Sequence, residues 1–411
     1  MRKRVWIILI CIFSTMTLLA GSYCGLRFGF GVDILDRSGW STKGESIVYR
    51  NYMGLRLRGW QQIDGKTYYF YPDTGAMVTG WQTLGASAYY FNSDGAMHTG
   101  WLDLEDGRYY LDENGNPFSG WLSLSIERYY LGDGGKVITG WLKQAEGTYY
   151  INETGLSVTG WLNLDNDRYY LNENGLLQTG WLTLDNKTYY LEEDGKQHIG
   201  WLEDGENLYY FKDDGAMAIG QVEIDGINRF FTSKGKHVIM VNRWHLMPED
   251  YTMELVDLWG FQIDASCRDA LEQMILDCRA AGYSCYINNT YRSRETQQYM
   301  WDVRLKTRQA QGMTYEEAVE YTARSLAFVG ASEHHLGLAV DINGSDGMYK
   351  WLEENCWNYG FILRYPPDSF DITGIIYEPW HFRYVGLELA TELQGLGLCM
   401  EEYMAQLTAA E

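Results

Sequence analysis

Basic residues are scarce in this chain of 411 residues. Lys and Arg number 33 against 55 Asp and Glu, which gives a formal net charge of −22. Nucleic-acid binding depends on basic side chains that neutralise phosphates, and the sequence has neither a basic patch nor a glycine-rich phosphate loop. The composition therefore predicts no nucleic-acid partner.

Proline and cysteine are also few. Six Pro stand against 45 Gly, and aromatic residues make up 15% of the chain, a composition that favours short strands and tight turns. Five of the seven Cys lie in the C-terminal third, and their odd number and lack of CxxC spacing define neither a disulfide framework nor a metal site. We expect these five to be buried thiols: Cys267, Cys278, Cys285, Cys356 and Cys399.

The uncharged run at the N-terminus is too short to span a membrane. It covers residues 5–20, whereas a spanning helix needs about 20 residues. A basic start precedes it and small residues follow it, an order typical of a secretory signal peptide. We therefore predict a cleaved signal peptide over residues 1–22 and an extracellular protein, with an uncleaved anchor or lipidation at Cys24 as alternatives.

A Gly-Trp pair recurs along the N-terminal half with almost constant spacing. After a first gap of 21 residues every gap is 20, each Trp is followed by a Tyr pair, and Phe230-Phe231 closes the series. A fixed period over residues 59–236 indicates a repeat array, and residues 23–58 are predicted to hold a linker and a degenerate first repeat. The repeated residues are Trp60, Trp81, Trp101, Trp121, Trp141, Trp161, Trp181 and Trp201.

Each repeat is predicted to be a β-hairpin. Asp-Gly pairs, a strong hairpin signal, separate the Trp and Tyr segments at Asp64-Gly65, Asp106-Gly107, Asp204-Gly205 and Asp225-Gly226. An isolated two-stranded hairpin is marginal in water, so successive hairpins must stack their aromatic residues in a β-hairpin solenoid. Most aromatics are then core, and the shallow clefts between hairpins suit a quaternary ammonium or the apolar face of a sugar.

The repeats resemble the cell-wall-binding repeats of choline-binding proteins and the glucan-binding repeats of glucosyltransferases and clostridial toxins. This resemblance implies wall attachment through the repeated Trp residues. Residues 59–240 hold 12 basic and 26 acidic residues, net −14, a surface that repels a bare anionic polymer. Choline-binding repeats usually carry a further Trp before the Tyr pair, and its absence here favours a neutral glucan, although a choline-bearing polymer remains open. The positions concerned are Thr67, Ala88, Arg108, Arg128, Thr148, Arg168, Thr188 and Leu208.

After Gly235 the period stops and helical patterns appear. Apolar residues recur at helical spacing over residues 264–281, and residues 314–317 form a capping box that opens a helix reaching about Ser325. Residues 237–411 are therefore predicted to be a mixed α+β domain behind the β-hairpin solenoid. Alternating apolar runs predict strands at 284–290, 336–342 and 375–385.

Three of the seven His lie in two short strand-like segments, at residues 332–341 and 378–384. The first reads Ser-Glu-His-His-Leu-Gly-Leu-Ala-Val-Asp and the second Glu-Pro-Trp-His-Phe-Arg-Tyr. Two imidazoles and a carboxylate suit a catalytic Zn²⁺ with one position left for water. The predicted ligands are His334, Asp341 and His381.

Glu378 is the candidate acid/base. A zinc-bound water can reach a pKa of about 7, and Glu378, three residues before a ligand, can take its proton and pass it to the leaving amine. His335 is the alternative first ligand, but the spacing to the following Leu-Gly favours His334. The simplest interpretation makes Trp380 a core aromatic and Arg383 a solvated strand residue.

The two segments together form the motif S-x-H-x-x-G-x-A-x-D followed by E-P-W-H-F-R-Y-V-G. This motif resembles that of the VanY-type D-alanyl-D-alanine carboxypeptidases, zinc peptidases of peptidoglycan. The resemblance runs from about residue 240 to 395 and includes a Tyr-Arg-Ser motif at Arg292. It implies the same Zn²⁺ ligands and acid/base, and it places Arg292 at the substrate's terminal carboxylate or at the oxyanion. Gln297 and Ser332 are further candidates for substrate contacts.

The sequence therefore predicts a wall-attached zinc carboxypeptidase that removes the C-terminal D-alanine from peptidoglycan stem peptides. An L,D-carboxypeptidase, a D,D-dipeptidase or a peptidoglycan endopeptidase would use the same metal site on another bond. A wall- or glucan-binding surface protein with an inactive peptidase domain is the alternative of another class. Such a protein is expected to have lost a ligand or Glu378, and none is lost.

Overall fold

The computed structural model describes residues 38–410. The predicted signal peptide and the first part of the linker, with Cys11 and Cys24, lie outside these residues. The chain divides into two compact units, one with the residues up to Gly140 and Ile151–Ser157, the other with Trp141–Tyr150 and the residues from Val158 onwards. No helix within the described range is both long enough and apolar enough to cross a membrane.

In the repeat region from residue 38 onwards, twenty short strands pair in ten antiparallel hairpins. The first hairpin surrounds Trp40, and the last strand pairs in addition with β21 (His237–Val238). The hairpins are β1 (Gly39–Lys43) with β2 (Ser46–Arg50), β3 (Gly59–Ile63) with β4 (Lys66–Phe70), β5 (Gly80–Leu84) with β6 (Ser87–Phe91), β7 (Gly100–Leu104) with β8 (Gly107–Leu111), β9 (Gly120–Leu124) with β10 (Glu127–Leu131), β11 (Gly140–Gln144) with β12 (Gly147–Ile151), β13 (Gly160–Leu164) with β14 (Asp167–Leu171), β15 (Gly180–Leu184) with β16 (Lys187–Leu191), β17 (Gly200–Asp204) with β18 (Asn207–Phe211), and β19 (Gly220–Ile224) with β20 (Ile227–Phe231).

A loop of two residues closes each hairpin. Type I′ loops need positive φ at both central residues, and Asp64-Gly65 (50° and 77°) and Asp225-Gly226 (52° and 77°) meet that need. At Asp106-Gly107 and Asp204-Gly205 the pair straddles the loop end instead, because Gly107 begins β8 and Asp204 ends β17. The hairpins predicted from these four pairs all form, but only two of the pairs are themselves the loop.

The aromatic residues stack between neighbouring hairpins, as predicted. Trp161 lies edge-on to Tyr170 of its own hairpin at 5.1 Å and to Tyr189 of the next at 5.0 Å, measured between ring centroids. Each hairpin thereby gains the neighbour that a lone hairpin lacks. The residue after each Tyr pair, and Phe231 at the equivalent end of β20, is at most 1% exposed: Phe70, Phe91, Leu111, Leu131, Ile151, Leu171, Leu191, Phe211 and Phe231.

A four-stranded antiparallel sheet organises the α+β domain. Its order is β24 (Cys285–Asn289), β25 (Ala339–Gly344), β27 (His381–Tyr384) and β26 (Phe361–Leu363). The main core lies between this sheet and the first and fourth helices. The other elements are the hairpin β22 (Leu255–Leu258) with β23 (Phe261–Asp264), and α1 (Ala265–Ala280), α2 (Arg294–Ala310), α3 (Tyr315–Ala323), α4 (Met348–Asn355), α5 (Phe370–Thr373), α6 (Leu387–Leu396) and α7 (Met400–Ala410), with 3₁₀ turns at Glu333–Leu336 and Cys356–Tyr359.

The predicted helices form, and the predicted strands form in part. Asp264 caps α1, and Thr314 caps α3 in a full capping box with Glu317. The run at 284–290 is β24, but 336–342 starts inside a 3₁₀ turn and 375–385 is a strand only from His381. The five Cys of the C-terminal third are free and buried, as expected.

The last hairpin of the repeats, β19–β20, shares a core with the two C-terminal helices, α6 and α7. Phe230 of β20 packs in one cluster with Leu389 of α6 and Tyr403 of α7. The backbone nitrogen of Ser233 donates a hydrogen bond to the Tyr403 hydroxyl at 2.8 Å. Packing therefore continues across the predicted domain boundary between residues 236 and 237. The boundary itself stays a prediction from the sequence.

Candidate metal centre and repeat surface

Three repeats have an Arg lying on the face of their Trp. The guanidinium carbons lie 4.0 to 4.2 Å from the ring centroids, within the range of a cation–π contact. The pairs are Arg108 with Trp101, Arg128 with Trp121 and Arg168 with Trp161. Repeats with Thr, Ala or Leu at that position leave the Trp 37–43% exposed, namely Trp60, Trp81, Trp141, Trp181 and Trp201. The predicted binding residues therefore fall into a covered group and an open group.

Neighbouring strands place two of the predicted metal ligands side by side in the sheet. Asp341 on β25 is the cross-strand partner of His381 on β27 and of Asn289 on β24. Directly opposed side chains in antiparallel strands lie about 5 Å apart at Cβ. His381 Nδ1 accordingly lies 3.1 Å from Asp341 Oδ1. The sheet register thus sets one edge of the site.

His334 reaches the same place from the 3₁₀ turn before β25, not from a strand as the sequence predicted. Its Nε2 lies 3.3 Å from Asp341 Oδ2, and its Nδ1 lies 2.6 Å from the carbonyl oxygen of Thr290. The turn ends at Gly337 with φ 70°, where a Cβ would come within 3.0 Å of the Asp264 backbone nitrogen. A side chain there would displace the turn that carries His334.

His334, Asp341 and His381 together fit a divalent metal ion. One donor atom from each lies within 4.8 Å of the other two, and all three side chains are buried. Burial would raise the pKa of Asp341, but the His334 and His381 rings lower it far below its usual range, so the carboxylate stays ionised. Two imidazoles and one carboxylate are a common catalytic zinc set.

Glu333 supports His381 from behind, a role that we did not predict from the sequence. Its Oε2 lies 3.5 Å from His381 Nε2, and its Oε1 accepts hydrogen bonds from Arg364 Nε at 2.8 Å and Arg383 Nη1 at 3.1 Å. Burial would raise the pKa of Glu333, but the two guanidinium groups lower it. A carboxylate at the outer nitrogen of a ligating His fixes the orientation and tautomer of the ring.

Arg364 and Arg383 extend this buried network to the end of the chain. Arg364 donates to both carboxylate oxygens of Glu401 on α7, at 2.6 and 2.9 Å, and Arg383 donates to the Ile239 carbonyl at 2.9 Å. Both guanidinium-bearing side chains are at most 1% exposed. The interpretation of Arg383 as a solvated strand residue is therefore wrong, because its charge compensates that of Glu333.

Glu378 lies one turn before β27 and faces the same cavity as the ligands. The backbone carbonyl of Glu378 accepts a hydrogen bond from the backbone N–H of His381 at 3.1 Å. This tight turn holds Glu378 close to the candidate ligand His381. Burial raises the pKa of Glu378 to about 7, with the His381 charge opposing. A carboxyl group with a pKa near neutrality is suited to accept a proton and return it.

Arg292 approaches the centre from the start of α2. Its Nη2 lies 3.7 Å from Asp341 Oδ2, and its Nη1 donates to Gln297 Oε1 at 2.9 Å. Gln297 is fully buried, donates to the Ala327 carbonyl and does not line the cavity. The structure therefore places Gln297 behind Arg292, where it orients the guanidinium, whereas Ser332 does line the cavity.

A cavity of about 610 Å³ opens over these groups. Trp380 lines it and is 37% exposed, so its interpretation as a core aromatic is wrong. His335 was the alternative first ligand. Its Nδ1 lies 2.8 Å from the carbonyl oxygen of Arg292, so His335 is a neighbour of the centre and not part of it. A three-ligand metal set with an acid/base carboxyl and a guanidinium in one cavity is typical of a metal-dependent hydrolase.

Comparisons with known families give this class a name. Residues 260–387 match the VanY family, described as D-alanyl-D-alanine carboxypeptidase. Residues 57–83, 78–120, 158–198 and 178–221 match the choline-binding repeat. The C-terminal domain thus matches the VanY family, and segments in front of it match the choline-binding repeat.

Two curated relatives agree with the match to the VanY family. A D-alanyl-D-alanine carboxypeptidase of Enterococcus faecalis is 42% identical over 175 residues, covering 41% of this chain and 65% of that protein. One of Enterococcus faecium is 38% identical over 141 residues, covering 32% and 40%. The chain thus spans less than two thirds of the length of either of these curated relatives.

Solved structures are similar to each half separately. The vancomycin resistance D,D-pentapeptidase VanY, in complex with Zn(II), shares 42% identity over 40% of this chain and 97% of its own, with a TM-score of 0.39. CbpJ from Streptococcus pneumoniae shares 25% identity over 56% of this chain and 99% of its own, with a TM-score of 0.36.

Proposed function

We propose that the chain is a cell-wall-attached zinc D-alanyl-D-alanine carboxypeptidase that removes the C-terminal D-alanine from peptidoglycan stem peptides. The observation that carries this proposal is the meeting of His334, Asp341 and His381 with Glu378 in one cavity of a VanY domain. Export by the predicted signal peptide agrees with this location and stays a prediction.

Each side chain of the site has a distinct role in the proposed hydrolysis. His334, Asp341 and His381 would hold Zn²⁺, which when bound polarises the scissile carbonyl and acidifies a water molecule. Glu378 accepts a proton from the attacking water and donates it to the leaving amine, and a pKa of about 7 suits both transfers. Ser332, on the cavity wall, is a further substrate contact.

Arg292 supplies positive charge beside the scissile bond. Its contact with Gln297 presents the guanidinium to the cavity in a fixed orientation. That orientation suits the terminal carboxylate of the substrate or the oxyanion that forms on the attacked carbonyl. In both cases Gln297 acts through Arg292 as a positioning residue.

We further infer that the repeats attach the enzyme to a choline-bearing wall polymer. A quaternary ammonium needs an open aromatic face, and five of the eight predicted binding Trp residues offer one. Several weak sites in one chain give avidity without any single tight site. The match to the choline-binding repeat supports this ligand, while binding to a neutral glucan stays a prediction from the sequence.

The decisive experiment is a mass-spectrometric digest of purified muropeptides by the full chain, with Zn²⁺ and then with a chelator. Chelator-sensitive loss of one terminal D-alanine from pentapeptides is expected. Loss from tetrapeptides alone would reassign the enzyme to L,D-cleavage, and loss of a dipeptide or of cross-links would reassign it to a dipeptidase or an endopeptidase. Unchanged muropeptides with zinc demonstrably bound would contradict the proposed activity.

A further inference from the structure

One face of α2 forms a wall of the active-site cavity. Thr296, Met300 and Arg304 all line it, and residues four apart on a helix lie on the same face. Arg292, which approaches Asp341, stands just before the N-cap of this helix. The stripe of cavity-lining residues therefore begins beside the predicted metal ligands and leads away from them.

The length of this stripe suits the acyl part of a peptide. A helix rises 1.5 Å per residue, so Thr296 and Arg304 lie about 12 Å apart along the axis. An extended peptide advances about 3.3–3.6 Å per residue, so roughly three residues fit beside the stripe. A carboxypeptidase substrate has only one residue beyond the scissile bond. A stripe of this length must therefore accompany the residues that precede the bond.

Arg304, at the far end of the stripe, makes no ion pair among the described residues, although its positive charge helps to oppose the rise in the pKa of Glu378. Within residues 38–410 its guanidinium makes one hydrogen bond, to Ser325 Oγ at 3.4 Å, and no ion pair. By contrast, Arg268, Arg364 and Arg383 each have a carboxylate oxygen within 3.1 Å. A guanidinium that faces a ligand cavity and lacks a carboxylate of its own is suited to bind one bidentately.

We propose that Arg304 is a specificity-determining residue that binds a free carboxylate in the acyl part of the substrate, about three residues before the scissile bond. The enzyme then selects stem peptides that carry a free carboxylate on the residue at that position over those that carry a carboxamide there. This inference rests on the proposed function and gives the peptide a direction in the same cavity. Arg292 acts at the scissile bond, and Arg304 reads the substrate upstream of it.

The test compares two pentapeptides that end in D-alanyl-D-alanine and differ only in whether the second residue carries a free carboxylate or a carboxamide. With the zinc-loaded full chain, kcat/KM is expected to be about tenfold higher for the carboxylate peptide, in line with a charge-assisted bidentate contact. Arg304→Gln should bring this ratio close to one, and Arg304→Lys should keep part of it. A short N-acyl-D-alanyl-D-alanine, which cannot reach Arg304, measures any effect of the substitution on the catalytic groups, and the ratio between the two pentapeptides does not depend on that effect.

Arg308→Gln is the matched control. Arg308 lies one turn further along α2, stacks on Tyr321 at 4.4 Å and donates to Gln311 at 3.0 Å, and it does not line the cavity. This variant should keep the full preference of the wild type. A wild-type ratio near one, or an unchanged ratio in Arg304→Gln, would overturn the role of Arg304.

Failure of the proposed function would look different. If the zinc-loaded wild type cleaves neither pentapeptide nor the short dipeptide, calorimetric titration with the two pentapeptides still decides the role of Arg304. About tenfold tighter binding of the carboxylate peptide, lost in Arg304→Gln, would support it. Equal dissociation constants for the two peptides would overturn it.

Discussion

The repeats and the C-terminal domain bury different kinds of side chain. Among residues 38–410, Tyr apart, the buried polar and charged residues begin only at Thr232, so the hairpins β1 to β18 bury apolar and aromatic groups. The C-terminal domain instead buries Glu333, Arg364 and Arg383, each at most 1% exposed. Charge burial is costly without close partners, and here it is concentrated behind the predicted metal ligands.

The two regions bury different groups because they have different tasks. A hairpin needs only the aromatic contacts of its neighbours, so its surface residues can vary from repeat to repeat. A catalytic centre needs ionised groups out of water in fixed positions, and these require further charges to hold them. Substitutions should therefore act locally and weakly in the repeats, but strongly and jointly in the C-terminal domain.

The largest effect is expected at Glu378. Glu378→Gln removes the proton acceptor but leaves the three predicted ligands intact, so turnover of a D-alanyl-D-alanine pentapeptide should fall by about 10²–10⁴-fold at unchanged zinc content. His381→Ala should lose both activity and zinc. Glu127→Gln, in the hairpin β9–β10, serves as the control and should change neither quantity. Near-normal turnover in Glu378→Gln would show that the assigned acid/base is wrong.

The buried network should give the largest effect on stability. Glu333→Gln leaves Arg383 without a carboxylate partner and Arg364 with Glu401 alone, which should cost about 3–5 kcal/mol of unfolding free energy. Because Glu333 also orients His381, zinc affinity should fall by about 10–100-fold. Amide hydrogen exchange in β25 and β27 measures the first effect, and a zinc titration measures the second.

The matched change in the repeats is Asp94→Asn. Asp94 pairs with Lys66 at 2.9 Å, but both side chains are more than half exposed. Exposed ion pairs contribute little to stability, so exchange in the hairpins β3–β4 and β5–β6 should stay unchanged. Equal losses of amide protection in Glu333→Gln and Asp94→Asn would contradict the stronger coupling assigned to the C-terminal domain.

The segment where the repeats end should behave like the C-terminal domain. Burial, and secondarily the charge of Arg229, lowers the pKa of His237 from 6.5 to about 4, with Asp250 opposing. The folded chain thus holds a neutral imidazole that the unfolded chain protonates below pH 6.5. The contribution of the neutral His237 to the unfolding free energy is fully present above pH 6.5. It is lost as the pH falls towards 4, by at most about 3 kcal/mol. His237→Gln should flatten the fall of unfolding free energy in that range, and an unchanged slope would exclude His237 as its source.

The sequence predicted the parts of the molecule that depend on local patterns. A 20-residue period is enough to predict hairpins, because each hairpin is closed by its own loop and repeats the same contacts. The meeting of the three candidate ligands was predictable because His334 and Asp341 stand seven residues apart in a recognisable motif and His381 stands in a second one. The second motif also contains Glu378, which faces the same cavity.

The support behind the ligands was not predictable, because its members are far apart in sequence. Arg364 joins Glu333 to Glu401 only after the sheet and α7 are assembled. Nothing in the alternating pattern around Arg383 distinguishes a buried guanidinium from a solvated one. Gln297 was assigned to the substrate for a related reason, since a motif identifies a residue near the site but not the side of Arg292 on which it lies.

The smallest expected effect concerns the covered Trp faces. Arg108, Arg128 and Arg168 lie on the Trp faces of their own repeats, where a ligand cation would otherwise sit. Replacing all three by Thr, the residue found at positions 67, 148 and 188, should open these faces and raise the number of choline molecules bound per chain in a calorimetric titration. The reciprocal change, Thr148→Arg with Thr188→Arg, should lower that number.

Each site is weak, about 0.5–1 kcal/mol for an exposed cation–π contact, so the affinity for a polymer should change only severalfold through avidity. Equal choline stoichiometry in the two sets of variants would mean that the Trp faces are not the binding sites, and that the repeats use another surface.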